Sequence, residues 1–161
     1  MGNIFAASEI VELGIQIEAN GRDFYNTLAV QSRNEKAGKI FKYLAGEEEK
    51  HILVFRKILE KTEQYEPPTI YADEYWAYMN ALAGDYVFTQ KDKGAAVAKK
   101  IKSDIEAAEA GIRFEKDSVI FYEGMEKVVP AYDKKAVDEL ILQEQNHLRQ
   151  LLDLKKQIEA A

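Results

Sequence analysis

The chain has 161 residues, a formal net charge of −6 at pH 7 and no cysteine. This length suits one domain with a substantial core, which we expect to span residues 1–161, and the acidic balance argues against nucleic-acid binding as the main role. The lack of cysteine excludes disulfides, thiolate zinc sites and cysteine-held iron–sulfur clusters within this chain, so a metal site must use oxygen and nitrogen ligands.

Four long segments follow one another along the chain, each with apolar residues recurring at the helical period. We predict helices over about 7–31, 35–62, 104–129 and 133–159. The third begins after Ser103, which can form a capping box with Glu106. Short loops join the helices within each pair, so each pair is predicted to be an antiparallel hairpin.

A connection of about forty residues, over about 63–102, separates the first hairpin, about 7–62, from the second, about 103–159. It opens with Pro67-Pro68 and contains the segment DEYWAYMNAL. A connection of this length can run along a bundle, and we expect it to contain short helices. We interpret its Trp and Tyr residues as packing residues, the alternative being a lid or dimer contact. The sequence therefore predicts an all-α four-helix bundle of two hairpins joined by a long crossover.

The segment GEEEKHILVF in the second helix places a carboxylate, Glu48, in the middle of an apolar face. His51 lies towards one edge of this face, whereas Glu49 and Lys50 point away. The apolar residues sharing the face are Phe41, Leu44, Ala45, Ile52, Phe55 and Leu59. An ionised carboxylate in such surroundings is costly unless a partner neutralises it, and no Lys or Arg of this helix shares the face. The partner must come from elsewhere.

The two hairpins repeat each other in sequence. LGIQIEANGRDFY in the first helix aligns with AGIRFEKDSVIFY in the third, and LAGEEEKHI in the second aligns with LILQEQNHL in the fourth. The matched pairs with ligand chemistry are Glu18 with Glu115, Glu48 with Glu144, and His51 with His147. The helical projection turns all six towards the core. Small residues a turn from the first pair are expected to leave room beside the carboxylates: Gly14, Gly21, Gly111 and Ser118.

Four carboxylates and two neutral imidazoles carry a charge of about −4, which two divalent cations neutralise. Oxygen-rich ligation with one imidazole per ion suits iron or manganese in a carboxylate-bridged dinuclear centre, so two iron ions, with manganese as an alternative, are the predicted cofactor. Without metal, we expect raised pKa values at all four carboxylates. Two other interpretations remain open: solvated charges on a structural bundle, and histidines that are ordinary hydrogen-bonded core residues.

The repeated combination of one Glu with a Glu-x-x-His pair resembles the ferritin-like di-iron carboxylate family, and within it the rubrerythrin branch. The resemblance covers both hairpins. It implies a ligand set of terminal Glu18 and Glu115, bridging Glu48 and Glu144, and one imidazole per metal from His51 and His147. It also implies that Tyr25 and Tyr122 donate hydrogen bonds beside the terminal glutamates, although both can be core aromatics only.

Two departures from the family affect the expected activity. Without cysteine the chain lacks a rubredoxin-like iron site, so electrons must arrive from a separate donor protein. The family's additional carboxylate, one turn from the terminal glutamate of the third helix, has only Ile112 and Ser118 as candidates. The six-ligand set is therefore more like that of bacterioferritin.

We predict a di-iron oxidoreductase that reduces peroxide or dioxygen, the alternatives being a ferroxidase or iron-handling protein and a metal-stabilised structural bundle. Glu47 and Gln143 are expected to accept the outer N–H of the histidine in the opposite hairpin, with simple surface exposure as the competing interpretation for Glu47. The start of the chain lacks a signal-peptide pattern and no stretch is long enough to cross a membrane. We expect a cytoplasmic homodimer or higher homo-oligomer.

Overall fold

The computed structural model describes residues 7–62 and 73–161, and all regular structure within these ranges is helical. Six helices are present there: α1 (Ala7–Gln31), α2 (Glu35–Thr62), α3 (Asp73–Asp85), α4 (Gly94–Lys99), α5 (Asp104–Met125) and α6 (Lys134–Ala160). Short 3-10 turns cover Val87–Thr89 and Ala131–Asp133. None of the helices in the described ranges has the length and apolar character needed to cross a membrane.

The four long helices form a bundle of two hairpins, which confirms the predicted fold class. Helix α1 packs against α2 and α5 against α6, while α1 meets α5 and α2 meets α6 across the bundle. Helices α1 and α5 run antiparallel, because Tyr25 contacts Glu115 and Tyr122 contacts Glu18. Large buried rings line the interior, among them Phe24, Phe41, Phe55 and Phe121.

The third long helix, α5, ends at Met125, four residues before the predicted end near Val129. Its last turn tightens, since the N–H of Val128 bonds to the carbonyl of Met125 at 3.0 Å. Gly124 is a weak helix former at this point, and its carbonyl accepts a hydrogen bond from the Tyr75 hydroxyl of the crossover at 2.7 Å. The apolar pattern did not indicate this end because Val128 and Val129 stay buried beyond the helix.

The crossover contains α3 and α4, as predicted, and most of its described aromatic residues pack against the core. Tyr86 is buried, Tyr75 and Trp76 are half-buried, and Tyr78 is exposed. The Pro67-Pro68 start predicted for this segment lies outside the described residues. At the start of α5, Ser103 caps the N–H of Glu106, but the Glu106 carboxylate accepts from the N–H of Lys102, so the predicted capping box is only half formed.

One buried side chain of α1, Asn20, fastens the crossover to the bundle. Its Nδ2 donates to the carbonyls of Phe88 at 2.7 Å and Gln90 at 2.6 Å, and its Oδ1 accepts from the N–H groups of Lys93 at 3.0 Å and Gly94 at 3.1 Å. A Cβ at Gly94 would lie 2.0 Å from the Asn20 carbonyl oxygen, so a side chain at that position would force the two segments apart. Asn20 therefore determines where the crossover sits on α1.

Replacing Asn20 with alanine should destabilise the protein strongly. Each buried backbone group left without a partner costs about 1–3 kcal/mol, and the Phe88 carbonyl and Gly94 N–H are both buried at their bonds to Asn20. Urea unfolding of the metal-free variant should show a matching fall in the free energy of unfolding. The exposed Asn26 of the same helix is the control, since Asn26→Ala should stay within about 0.5 kcal/mol of the parent. Equal effects of the two substitutions would contradict the anchoring role.

Candidate metal centre

The structure brings all six residues of the predicted ligand set together at the centre of the bundle. Each carboxylate is fully buried and each imidazole is 1% exposed. One turn of helix separates the glutamate and histidine of each Glu-x-x-His pair, so both side chains of a pair project to the same side. The contributing positions are Glu18 of α1, Glu48 and His51 of α2, Glu115 of α5, and Glu144 and His147 of α6.

The inner nitrogen of each histidine, Nδ1, faces the carboxylates. For His51, Nδ1 lies 2.8 Å from Glu144, 3.5 Å from Glu18 and 3.6 Å from Glu48. For His147, the corresponding distances are 3.2 Å to Glu144, 3.3 Å to Glu48 and 3.8 Å to Glu115. Glu48 and Glu144 thus contact both imidazoles.

The six side chains form two overlapping groups whose potential ligand atoms lie within 4.8 Å of one another. Glu18 and His51 belong to one group, Glu115 and His147 to the other, and Glu48 and Glu144 to both. Four buried carboxylate oxygens accept no hydrogen bond: Oε2 of Glu18, both oxygens of Glu48, and Oε2 of Glu115. Because an unsatisfied buried carboxylate oxygen is costly, this arrangement favours a cation in each of the two groups.

Burial and crowding separate the pKa values of the four carboxylates. Burial, together with the charges of the neighbouring glutamates, raises the pKa of Glu48 and Glu115 well above the ordinary value. Burial and the charge of Glu18 raise the pKa of Glu144 to about 7. Glu18 is the exception to the expected rise, since its close contact with Glu48 and the charge of His51 overcome burial and lower its pKa to about 2.

The pKa values of both histidines are raised, whereas the charge count made from the sequence treated both imidazoles as neutral. Burial lowers the pKa of His51, but the charge of Glu18 and the contact with Glu144 outweigh burial and raise it. The pKa of His147 is likewise raised, against burial, by its contact with Glu48 and the charge of Glu115. Without metal, the centre therefore balances its charge with protons held by glutamates and histidines.

Two tyrosine hydroxyls contact the glutamates that α1 and α5 contribute. Tyr25 donates to Glu115 Oε1 at 2.7 Å, and Tyr122 donates to Glu18 Oε1 at 2.5 Å. Burial, reinforced by the nearby carboxylates, raises the pKa of both hydroxyls well above 10, so both remain protonated donors. Tyr25 and Tyr122 are therefore both hydrogen-bond donors to the glutamates and core aromatics, because their rings also belong to the hydrophobic core.

We expect Tyr25→Phe and Tyr122→Phe each to weaken metal binding, because each removes the hydrogen bond that holds one glutamate in position. Loss of such an outer partner typically lowers metal affinity by about 10-fold to 100-fold. Chelator competition with Mn²⁺ would measure the change. Tyr86→Phe is the matched control, since the buried Tyr86 hydroxyl bonds to Ser118 and to the Phe114 carbonyl. Equal metal affinities in all three variants would contradict the role of Tyr25 and Tyr122.

The outer nitrogen of His51 has the partner expected from the opposite hairpin, since Nε2 lies 2.6 Å from Gln143 Oε1. Gln143 thereby keeps the Nε2 proton in place and leaves Nδ1 turned inwards. Glu47 forms an ion pair with Lys50 at 2.8 Å, and its carboxylate also lies within 4.8 Å of a ring nitrogen of His51 and of His147. The pairing predicted for Gln143 is present, and Glu47 has a surface partner.

The space expected beside the carboxylates is filled by packing. A Cβ at Gly21 would lie 2.4 Å from the Phe114 ring and 3.4 Å from Glu48 Cγ, so the glycine makes way for that ring. The space beside Ser118 is likewise filled, since its hydroxyl forms a hydrogen bond with the Tyr86 hydroxyl at 2.9 Å. Sequence patterns identified the small residues correctly but not the large side chains that pack against them.

Comparison with known proteins supports this description of the centre. A family model described as Rubrerythrin matches residues 9–155. A solved structure from Thermotoga maritima, described as "a putative ferritin-like diiron-carboxylate protein", superposes with a TM-score of 0.73 at 28% sequence identity, covering 97% of this chain and 98% of that chain. No curated protein matches the sequence.

Proposed function

This chain belongs to the rubrerythrin family, with a ferritin-like bundle and a buried Glu/His cluster, and we propose that it is a di-iron oxidoreductase. In this proposal it reduces peroxide or dioxygen with electrons from an external donor protein. The observation that supports it is the set of four buried carboxylate oxygens without hydrogen bonds, set between two inward-facing imidazole nitrogens.

The residues present fit two metal ions. Two groups that share two carboxylates can hold two cations side by side, and a donor set of oxygens plus one imidazole nitrogen per ion suits iron, with manganese as the alternative. We assign Glu48 and Glu144 as bridging ligands. The remaining ligands are Glu18 and His51 on one ion, and Glu115 and His147 on the other.

When bound, the metal pair would supply the redox chemistry that breaks an oxygen–oxygen bond, and the chain contributes position and protection. The protonated hydroxyls of Tyr25 and Tyr122 hold the terminal ligands Glu115 and Glu18 in position. Gln143 fixes the ring of His51. Complete burial of the carboxylates keeps bulk water away from the reacting centre. An external donor is required in this proposal because the chain has no cysteine with which to hold a second iron site.

Iron handling is a second candidate, favoured by one contact. At one turn beyond Glu115, where the family resemblance implies a further carboxylate, Ser118 bonds to Tyr86 and contributes no carboxylate. A centre limited to six ligands could oxidise ferrous ions and pass them on without a reduction cycle. The two functions differ in whether electrons are returned to the centre.

Turnover with a reductant tests the proposal. Iron-loaded protein mixed with hydrogen peroxide and an excess of a reduced carrier protein should consume peroxide repeatedly, whereas a Glu48→Ala variant prepared in the same way should not. A single oxidation followed by iron release or by iron-filled assemblies on size-exclusion chromatography would favour iron handling instead. Protein that binds no iron would leave only the structural interpretation of the bundle.

The exposed surface supports the proposed homodimer or higher homo-oligomer. Leu53 of α2 and Leu142 of α6 are 53% and 64% exposed, although both are large apolar side chains. Covering them in an assembly would remove apolar area from water. Light scattering of Leu142→Glu alongside the parent protein should show a smaller mass for the variant.

A further inference from the structure

An exposed aromatic ring contacts one of the two central imidazoles. Tyr43 of α2 is 48% exposed, and its ring meets the ring of His147 edge to face, with centroids 6.5 Å apart and planes at 82°. His147 is itself 1% exposed. Within residues 7–62 and 73–161, the other ring contact of His147 is with His51. Tyr43 is therefore the exposed aromatic side chain next to the two central histidines.

The contact is not duplicated in the other half of the repeat. The alignment that pairs Leu44 with Leu140 places Glu139 opposite Tyr43, and Glu139 is an exposed carboxylate. The corresponding histidine, His51, instead bonds through its outer nitrogen to Gln143. The two halves share the central residues but differ on the outside, so Tyr43 does not follow from the repeat.

Tyr43 also lies on the side of the bundle away from the described part of the crossover. Helix α4 and the turn Val87–Thr89 pack on α1, and α3 packs on α5. Tyr43 belongs to α2, which meets α6 on the opposite side. Near the central histidines this side carries Lys50, paired with Glu47, and the exposed Asn146. In the described part of the chain, the main contacts of the crossover are therefore with α1 and α5. A carrier protein can approach at Tyr43, which lies about 15 Å along α2 from Leu53, the apolar residue proposed for the oligomer interface.

We propose that Tyr43 is the residue through which electrons enter the centre, from a reduced one-electron carrier at the surface to His147 and the metal beside it. This inference rests on the proposed function. Each step oxidises the carrier by one electron and reduces one ferric ion to ferrous, while Tyr43 keeps its proton and no bond forms or breaks. The rings of His147 and His51 stack with centroids 5.5 Å apart, which extends the contact to the second imidazole.

The cysteine-free chain allows a direct measurement of this route. Gly46 lies three residues after Tyr43 on α2, and a Cβ there meets no atom within 4 Å; the same is true of Gly84 on α3. A ruthenium polypyridyl complex attached to Gly46→Cys or to Gly84→Cys provides two defined starting points. On excitation the ruthenium(II) complex passes one electron to a ferric ion, giving ruthenium(III) and iron(II), which transient absorption follows in iron-loaded protein.

With the label at Gly46→Cys, Tyr43→Leu should slow electron transfer several-fold. Tyr43→Phe should keep the parent rate, because the ring and not the hydroxyl contacts His147. With the label at Gly84→Cys, neither substitution should change the rate. An unchanged or faster rate in the Gly46-labelled Tyr43→Leu protein, or an equal loss from both labels or in both variants, would overturn the assignment.

The same preparations separate this inference from the proposed function. Protein that binds no iron would overturn both. Iron-loaded protein that shows the expected dependence on Tyr43 but does not turn over peroxide would overturn the proposed function and support the entry route. Iron-loaded protein that turns over peroxide, with a rate from the Gly46 label independent of Tyr43, would overturn the entry route alone.

Discussion

Glu48→Ala is expected to empty both metal positions at once, lowering the bound iron from about two ions per chain to less than one. The reason is geometric: one carboxylate oxygen of Glu48 lies 3.6 Å from His51 Nδ1, and the other lies 3.3 Å from His147 Nδ1. Losing this carboxylate therefore removes a ligand from each of the two overlapping groups. Elemental analysis after desalting would measure the loss.

Glu49→Ala is the matched control for this loss. The neighbouring Glu49 is exposed and bonds to Arg22 at 2.8 Å on the outside of the bundle. This variant should retain both ions. Urea unfolding of the metal-free Glu48→Ala and Glu49→Ala proteins would show that both are folded before their metal content is compared. A Glu48→Ala protein that still carried two ions per chain would refute the bridging assignment.

The positions that sequence could predict are those fixed by periodicity and repetition. Apolar residues at the helical period gave the bounds of α1 and α2, and the repeated Glu-x-x-His pattern selected residues that converge in the folded chain. The repeat was informative because it constrained both halves at once. A single Glu48 on an apolar face indicates only a buried charge, whereas its match with Glu144 indicates a shared site.

The features that sequence missed depend on contacts between distant segments. Asn20 is one of several polar residues in α1, and its partners lie 68 to 74 residues away on backbone atoms, which no side-chain pattern records. Tyr43 was passed over because the helical projection places it outside the core. Phe114 fills the space beside Gly21 through packing that periodicity does not specify.

The different pKa values of the four glutamates could not be predicted from the sequence either. By residue type and by repeat, Glu18 and Glu115 are equivalent, yet the pKa of Glu18 is lowered to about 2 and that of Glu115 is raised. The contact with Glu48 and the charge of His51 lower the pKa of Glu18 against burial, whereas burial and the charge of Glu144 raise the pKa of Glu115. Such differences depend on individual distances that a helical projection does not give.

Metal-free protein is expected to lose stability as the pH rises from about 5 to about 7.5, the opposite of the usual behaviour of paired carboxylates. The pKa of Glu144 is raised from 4.5 to about 7, so the folded chain holds more protons than the unfolded chain between these values, and stability falls as they leave. Glu48 and Glu115 act in the same direction. The raised pKa of His51 adds stability that is complete below 6.5 and is lost above it.

Glu18 does not reverse this trend, because its lowered pKa affects stability only as the pH falls from 4.5 towards 2. Metal binding displaces the protons held by the centre, so the stabilisation due to metal should grow over the same interval in which the metal-free protein weakens. Thermal unfolding of metal-free and metal-loaded protein at a fixed free metal concentration should therefore give curves of stability against pH that diverge with rising pH.

The double substitution Glu48→Gln with Glu144→Gln should flatten the metal-free curve. The slope due to the half-buried Glu126, whose pKa is raised to about 7 by burial and by Asp138, should remain. Parallel curves, or metal-free protein that gains stability towards neutral pH in both parent and double variant, would mean that these glutamates are not the groups that bind metal.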